Sequence, residues 1–239
     1  LLADITESAA VVLDKAITLD GNGFTLTTTA TRAINVNCAG EVTIKNLTIV
    51  GNANTERAIN VIQKAAKLTI DNVTAEGFKY TDNVASSSVG SNITIKNSTI
   101  SGYAALNITG NNTTVTVDNS TLTGVNDVAY HESNAFGVIA IGADGVENVS
   151  VTVTNSTLTA TSANGNRQFI VAAEGAVDSV FNISGTLNTV NDDVFNGYPT
   201  KVTATCPKES AGRSNARGYA YIDNITYHPN SFLRMKMDS

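Results

Sequence analysis

Apolar and polar positions alternate along this chain in short runs, and the alternation restarts at regular intervals. Successive side chains of a strand point to opposite faces, so Val42-Thr43-Ile44 sends two aliphatic groups one way and a threonine the other. After Lys45-Asn46 the pattern begins again as Leu47-Thr48-Ile49. This unit (apolar, Thr, apolar, polar, Asn, any, Thr, apolar) returns at 68–75, 93–100, 115–122 and 151–158. Weaker copies lie at 17–26, where Gly21-Asn22-Gly23 supplies the turn, at 181–187, where Gly185 replaces the asparagine, and at 221–226.

Taking Leu19, Ile44, Ile70, Ile95, Val117, Val153, Ile183 and Ile222 as equivalent, the steps are 25, 26, 25, 22, 36, 30 and 39 residues. The first four suit one circuit of a coiled β-chain, and the longer ones require inserted loops. Stacked about 4.8 Å apart, such units align Val, Ile and Leu into interior columns and Thr into exterior ones. The fold expected is all-β: a right-handed, single-stranded parallel β-helix of about eight rungs. The bend between the two halves of each unit calls for a residue tolerant of positive φ, which favours Asn and then Gly. Asn46, Asn72, Asn97, Asn119 and Asn155 are therefore expected to form an internal ladder with amides hydrogen-bonded between rungs.

Each rung carries a further strand ahead of this pair. Arg32-Ala33-Ile34-Asn35-Val36 and Arg57-Ala58-Ile59-Asn60-Val61 are near-identical, and 105–108, 136–141 and 167–171 occupy similar places. Three short strands per turn, with Asn at the bend between the second and third, resemble the pectate-lyase-like β-helices across roughly residues 17–227. That resemblance concerns architecture; the superfamily includes lyases, hydrolases, phage tailspikes and bacterial adhesins, and the chain is closest in character to the non-catalytic surface members.

The ends are read as caps. Residues 7–15, with Thr6 as N-cap, are expected to form a short helix over the first rung, giving segments of 1–16 (cap), 17–227 (β-helix) and 228–239 (tail). The apolar Leu1-Leu2 and the tail from Phe232 to Met237 are candidate surfaces for end-to-end self-association. Leu1 in place of Met is compatible with a removed leader or with a piece of a larger protein.

Composition narrows the function. A net charge of -6 and a pI near 4.8 argue against a nucleic-acid partner. No apolar run of about 18 residues is present to span a membrane as a helix. Two cysteines, Cys38 and Cys206, exclude a disulfide-dense scaffold and are placed too far apart on a solenoid to bond within one chain.

Catalytic patterns are thin. The outward columns are threonine rather than clustered acids, Gly-His-Gly is absent, and aromatic residues are 6% of the chain with no Trp. The insertion carrying Asp127, His131 and Glu132 has the best mixture of ionisable groups, and Asp192-Asp193 is the one paired acid. These are weak catalytic candidates, and no metal or cofactor is implied. Arg32 and Arg57 would stack one rung apart, with Glu56 alongside, where a sugar acid could bind. The first expectation is an extracellular or cell-surface structural or adhesive module of a bacterial or phage protein, with a carbohydrate or host-surface ligand. A polysaccharide lyase or glycoside hydrolase is the alternative. Ice binding ranks third, because Val50 and Glu76 interrupt the Thr-x-Thr pattern.

Overall fold

The computed structural model describes residues 1–52, 54–126, 136–162, 168–173 and 176–188, and the backbone of five further strands, Asp193–Gly197, Lys201–Ala204, Arg213–Ser214, Tyr219–Ile222 and Ile225–Thr226. The described residues form strands and turns with no α-helix, and a single 21-stranded sheet joins nearly all of them. Pairing is parallel, apart from the antiparallel contact of Tyr219–Ile222 with Ile225–Thr226, and recurs once per circuit, so strands stack in three columns.

The middle column begins with β3 (Ile17–Asp20) and brings Leu19, Ile44, Ile70, Ile95, Val117, Val153 and Ile183 into register. All but Leu19 are buried, and the threonines between them are half-buried on the outer side. Ile183 then pairs with Ala204, and Ala204 with Ile222. The 39-residue step thus divides into 21 (204 minus 183) and 18 (222 minus 204). The intervening circuit escaped the repeat because Lys201-Val202-Thr203-Ala204 is not followed by Asn.

The trailing column follows each bend. It runs from β1 (Ile5–Glu7) through an unbroken outer line of threonines: Thr25, Thr48, Thr74, Thr99, Thr121, Thr157 and Thr186. The leading column starts at β2 (Val11–Leu13) and includes Arg32–Val36 and Arg57–Val61.

No helix covers the first circuit. The residues expected to be helical contribute instead the end of β1 and all of β2. Val11 pairs with Ile34 and Leu13 with Val36, while Val12, 54% exposed, points away. This is alternation with a period of two, and two adjacent β-branched valines favour it. The unpaired N–H and C=O groups of Arg32–Val36 decide the matter, because a strand satisfies that edge and a helix does not. Ile5–Glu7 and Val11–Leu13 thus join the stack.

The bends have the predicted conformation and an unpredicted position. Asn46, Asn72, Asn97, Asn119 and Asn155 all have φ between 46° and 54°, and Gly185 at the same bend has φ of 125°. Their side chains are not internal: Asn46 is half-buried and the other four are exposed. The amides bond between circuits in a broken series. Asn72 donates to Asn46 at 2.9 Å and Asn119 to Asn97 at 2.8 Å, whereas Asn46, Asn97 and Asn155 donate to Asp20, Asp71 and Asp118. The inward ladder belongs to the next residue. Ser98, Ser120 and Ser156 are buried, and each hydroxyl accepts the N–H of the corresponding residue one circuit earlier: Val73, Ser98 and Ser120.

Candidate functional site: a groove along the leading column

The leading column presents an outward asparagine in four successive circuits. Asn35, Asn60, Asn83 and Asn107 are in register, and each amide nitrogen donates to the preceding carbonyl: Asn60 to Asn35 at 3.0 Å, Asn83 to Asn60 at 2.8 Å, Asn107 to Asn83 at 2.7 Å. The ladder forms the floor of a groove of about 510 Å³, with Arg32, Arg57, Tyr80 and Phe136 also among its lining. Amide nitrogens carry two hydrogens, so each ladder member keeps one beyond the bond along the stack.

The ladder stops where Ala140 succeeds Asn107 in register. The Asn107 carbonyl oxygen, buried at the edge of the groove, has no hydrogen-bond partner. Room for it depends on Gly142, where a Cβ would come within 2.2 Å of that oxygen. A buried unpaired acceptor is costly, and this one marks where the ladder runs out of donors.

Arginines and rings flank the floor. Arg32 and Arg57 are paired in register, as the sequence suggested, and Arg57 forms an ion pair with Glu56. The Arg57 guanidinium lies 5.7 Å from the centroid of Tyr80, its Nε lacking a partner, and Lys79 approaches the same ring at 5.3 Å. Tyr80 is 5.7 Å from Phe136, which stacks on Tyr103 at 4.8 Å. Burial raises the hydroxyl pKa of both Tyr80 and Tyr103, so both remain neutral donors. Tyr80 and Phe136 pack on Ala104, Ala140 and Ala172 in a small cluster separate from the main core.

Beneath the floor lies an anomaly. Asp82 occupies the inward position that Ile34 and Ile59 hold earlier and Leu106 and Ile139 hold later. It is 3% exposed, and neither carboxyl oxygen has a hydrogen-bond partner. Burial alone pushes its pKa up to about 8.

Of the residues singled out from sequence, Asp127, His131, Glu132 and Asp192 lie outside the described residues, as do Cys206 and the tail. Asp193 begins the strand Asp193–Gly197, paired to Gln168–Ala173, and its side chain is also outside them. Asn35 and Asn60 were visible in the Arg-Ala-Ile-Asn-Val repeat without being read as a ladder. Asn83 was hidden because its strand reads Tyr80-Thr81-Asp82-Asn83-Val84, with an acid in the isoleucine place. Among the described residues, no cluster of three His, Cys, Asp or Glu could hold a metal ion.

Comparison with known proteins adds no relative: the chain matches no protein-family model, no curated protein and no solved structure.

Proposed function

We propose that this chain is a right-handed parallel β-helix of the pectate-lyase-like kind, serving as an adhesive module at a bacterial or phage surface, and that its groove holds an extended carbohydrate. The observation that carries the reading is the Asn35–Asn60–Asn83–Asn107 ladder flanked by Arg32, Arg57, Tyr80 and Phe136. Free amide hydrogens spaced by the strand separation of about 4.8 Å suit the hydroxyls of a sugar chain lying along the stack. The arginines favour acidic units, and the rings suit the apolar face of a sugar. The catalytic alternative would rest on Asp127, His131, Glu132, Asp192 and Asp193. A coil whose first strands pair on one side only also supports stacking of copies end to end.

Titration calorimetry with acidic and neutral oligosaccharides tests the carbohydrate reading. Binding to an acidic oligosaccharide, lost in Arg57→Ala and weakened in Asn60→Ala, is the expected result. Binding unaffected by either change would move the site elsewhere. Turnover of the same oligosaccharide, abolished by changing His131 or Asp193, would favour the enzyme.

A further inference from the structure

Asp82 interrupts a register line that is aliphatic on both sides of it, from Val11 to Ile59 and from Leu106 to Val171, directly beside the groove. Its strand neighbour Asn83 is the central link of the ladder, accepting from Asn107 and donating to Asn60. An isolated carboxylate in such a place is unfavourable, because no dipole or cation replaces the water it loses. The charged and titratable groups on the surrounding strands do not compensate. Arg57 and Lys79 are both drawn to the face of the Tyr80 ring, Glu56 is taken by Arg57, and Tyr103 stacks on Phe136. Asp71 and Lys96, from the middle column, pair with each other at the surface, and Glu76 is exposed. The inward residues of the middle column on these circuits are all aliphatic, Val42, Ile44, Leu68, Ile70, Ile93 and Ile95.

We infer that Asp82 makes the groove floor proton-dependent: the floor keeps its shape while the Asp82 carboxyl retains its proton, and loosens when that proton is released to solvent. The reaction is a simple ionisation, –COOH to –COO⁻ plus H⁺. Once charged, the side chain can regain hydration only by opening the circuits above and below it. Ile59 and Leu106 then part from it, and the hydrogen bonds that Asn83 donates to Asn60 and accepts from Asn107 lengthen with them. The effect on a ligand rests on the carbohydrate reading of the groove; the proton dependence of the floor does not.

Three measurements on the full chain test this. Infrared spectroscopy of the wild type should show a protonated-carboxyl stretch at about pH 6 that Asp82→Asn removes and that titrates away near pH 8, where burial places the group. Scanning calorimetry should show the wild-type Tm falling from about pH 5 to about pH 9 more steeply than that of Asp82→Leu, whose inward side chain cannot ionise. Calorimetric binding of oligogalacturonate should weaken several-fold over the same range in the wild type and stay level in Asp82→Leu. No protonated-carboxyl band at about pH 6, or parallel Tm curves, would overturn the inference. Should Asp82→Leu not fold, the wild-type infrared titration still decides it. If oligogalacturonate binds at no pH while the band and the Tm behave as expected, the carbohydrate reading fails and the proton-dependent floor stands. Binding with the same pH dependence in wild type and Asp82→Leu overturns the link to the groove.

Discussion

The Ser120 hydroxyl donates to the Asp118 carbonyl at 2.8 Å and accepts the Ser98 N–H at 3.1 Å, so one buried side chain closes its own bend and fastens it to the previous circuit. Replacing Ser120 by Ala strands the Ser98 N–H in the interior. The expected cost is about 1–3 kcal/mol in urea unfolding, the penalty for a buried unsatisfied donor. A change below about 0.5 kcal/mol would show that another acceptor takes over.

Asn97 holds φ of 52° at an exposed bend. Its value therefore lies in the backbone more than in burial. Asn97→Leu should cost about 1–2 kcal/mol through left-handed strain, whereas Asn97→Gly should cost only a few tenths. Equal losses in the two variants, measured by chemical denaturation, would assign the effect to the hydrogen bond that the Asn97 amide donates to Asp71 instead.

Acid should destabilise the chain through a second set of aspartates. The Asn22 N–H holds the Asp20 carboxyl below its ordinary 3.8, the Asn97 amide does the same for Asp71, and the Thr154 hydroxyl for Asp118. A carboxylate whose pKa is lowered by folding adds stability above the unfolded value and loses it as the pH falls through the folded one. Tm should drop below about pH 4, and the drop should be smaller in Asp118→Asn. Asp82 acts with the opposite sign: its raised pKa gives stability that is full below 3.8 and is lost as the pH climbs to about 8. Stability should therefore peak on the acid side of neutrality, and thermal scans across pH will show whether it does.

Much of the stack was legible because burial and register reinforce each other: Val42 and Ile44 cannot face inward unless Thr43 faces out, and one slipped residue reverses the set. The bends were half legible. Asn at the second bend announces positive φ, but the bend ahead of the middle column has the same conformation at Ala65, Gly90, Asn112, Asn148 and Asp178, with no common residue to signal it. The sequence offered Asn as the interior ladder because its amide can bond both ways, yet at a left-handed bend that side chain projects outward and the following serine turns in. The site was harder to see because it depends on which outer residues stack. Tyr80, Phe136 and Asn107 come from separate circuits, and no local spacing relates them.

The strands β1, β2 and β3 each pair on one side only, and Leu2, Val12 and Ile17 near them are 96%, 54% and 39% exposed. Such an edge accepts another strand. Sedimentation velocity should show concentration-dependent association that Val12→Lys diminishes. A wild-type chain that stays monomeric at all concentrations would exclude end-to-end stacking through this edge.

From Asn46 to Asn155 the connection at the asparagine bend keeps one length: three positions separate Ile44 from Leu47, Ile70 from Val73, Val117 from Ser120 and Val153 from Ser156, and only the first circuit, at Gly21-Asn22-Gly23, is two residues longer. Between Asn46 and Asn155, among the described residues, length is added on either side of the leading column instead: Ile108 to Thr114 takes six positions and Ile141 to Ser150 nine. Across these circuits, variation in length is thereby kept to the two sides of the leading column. New recognition loops could be grafted there, circuit by circuit, with the threonine flank left untouched as an inert spine.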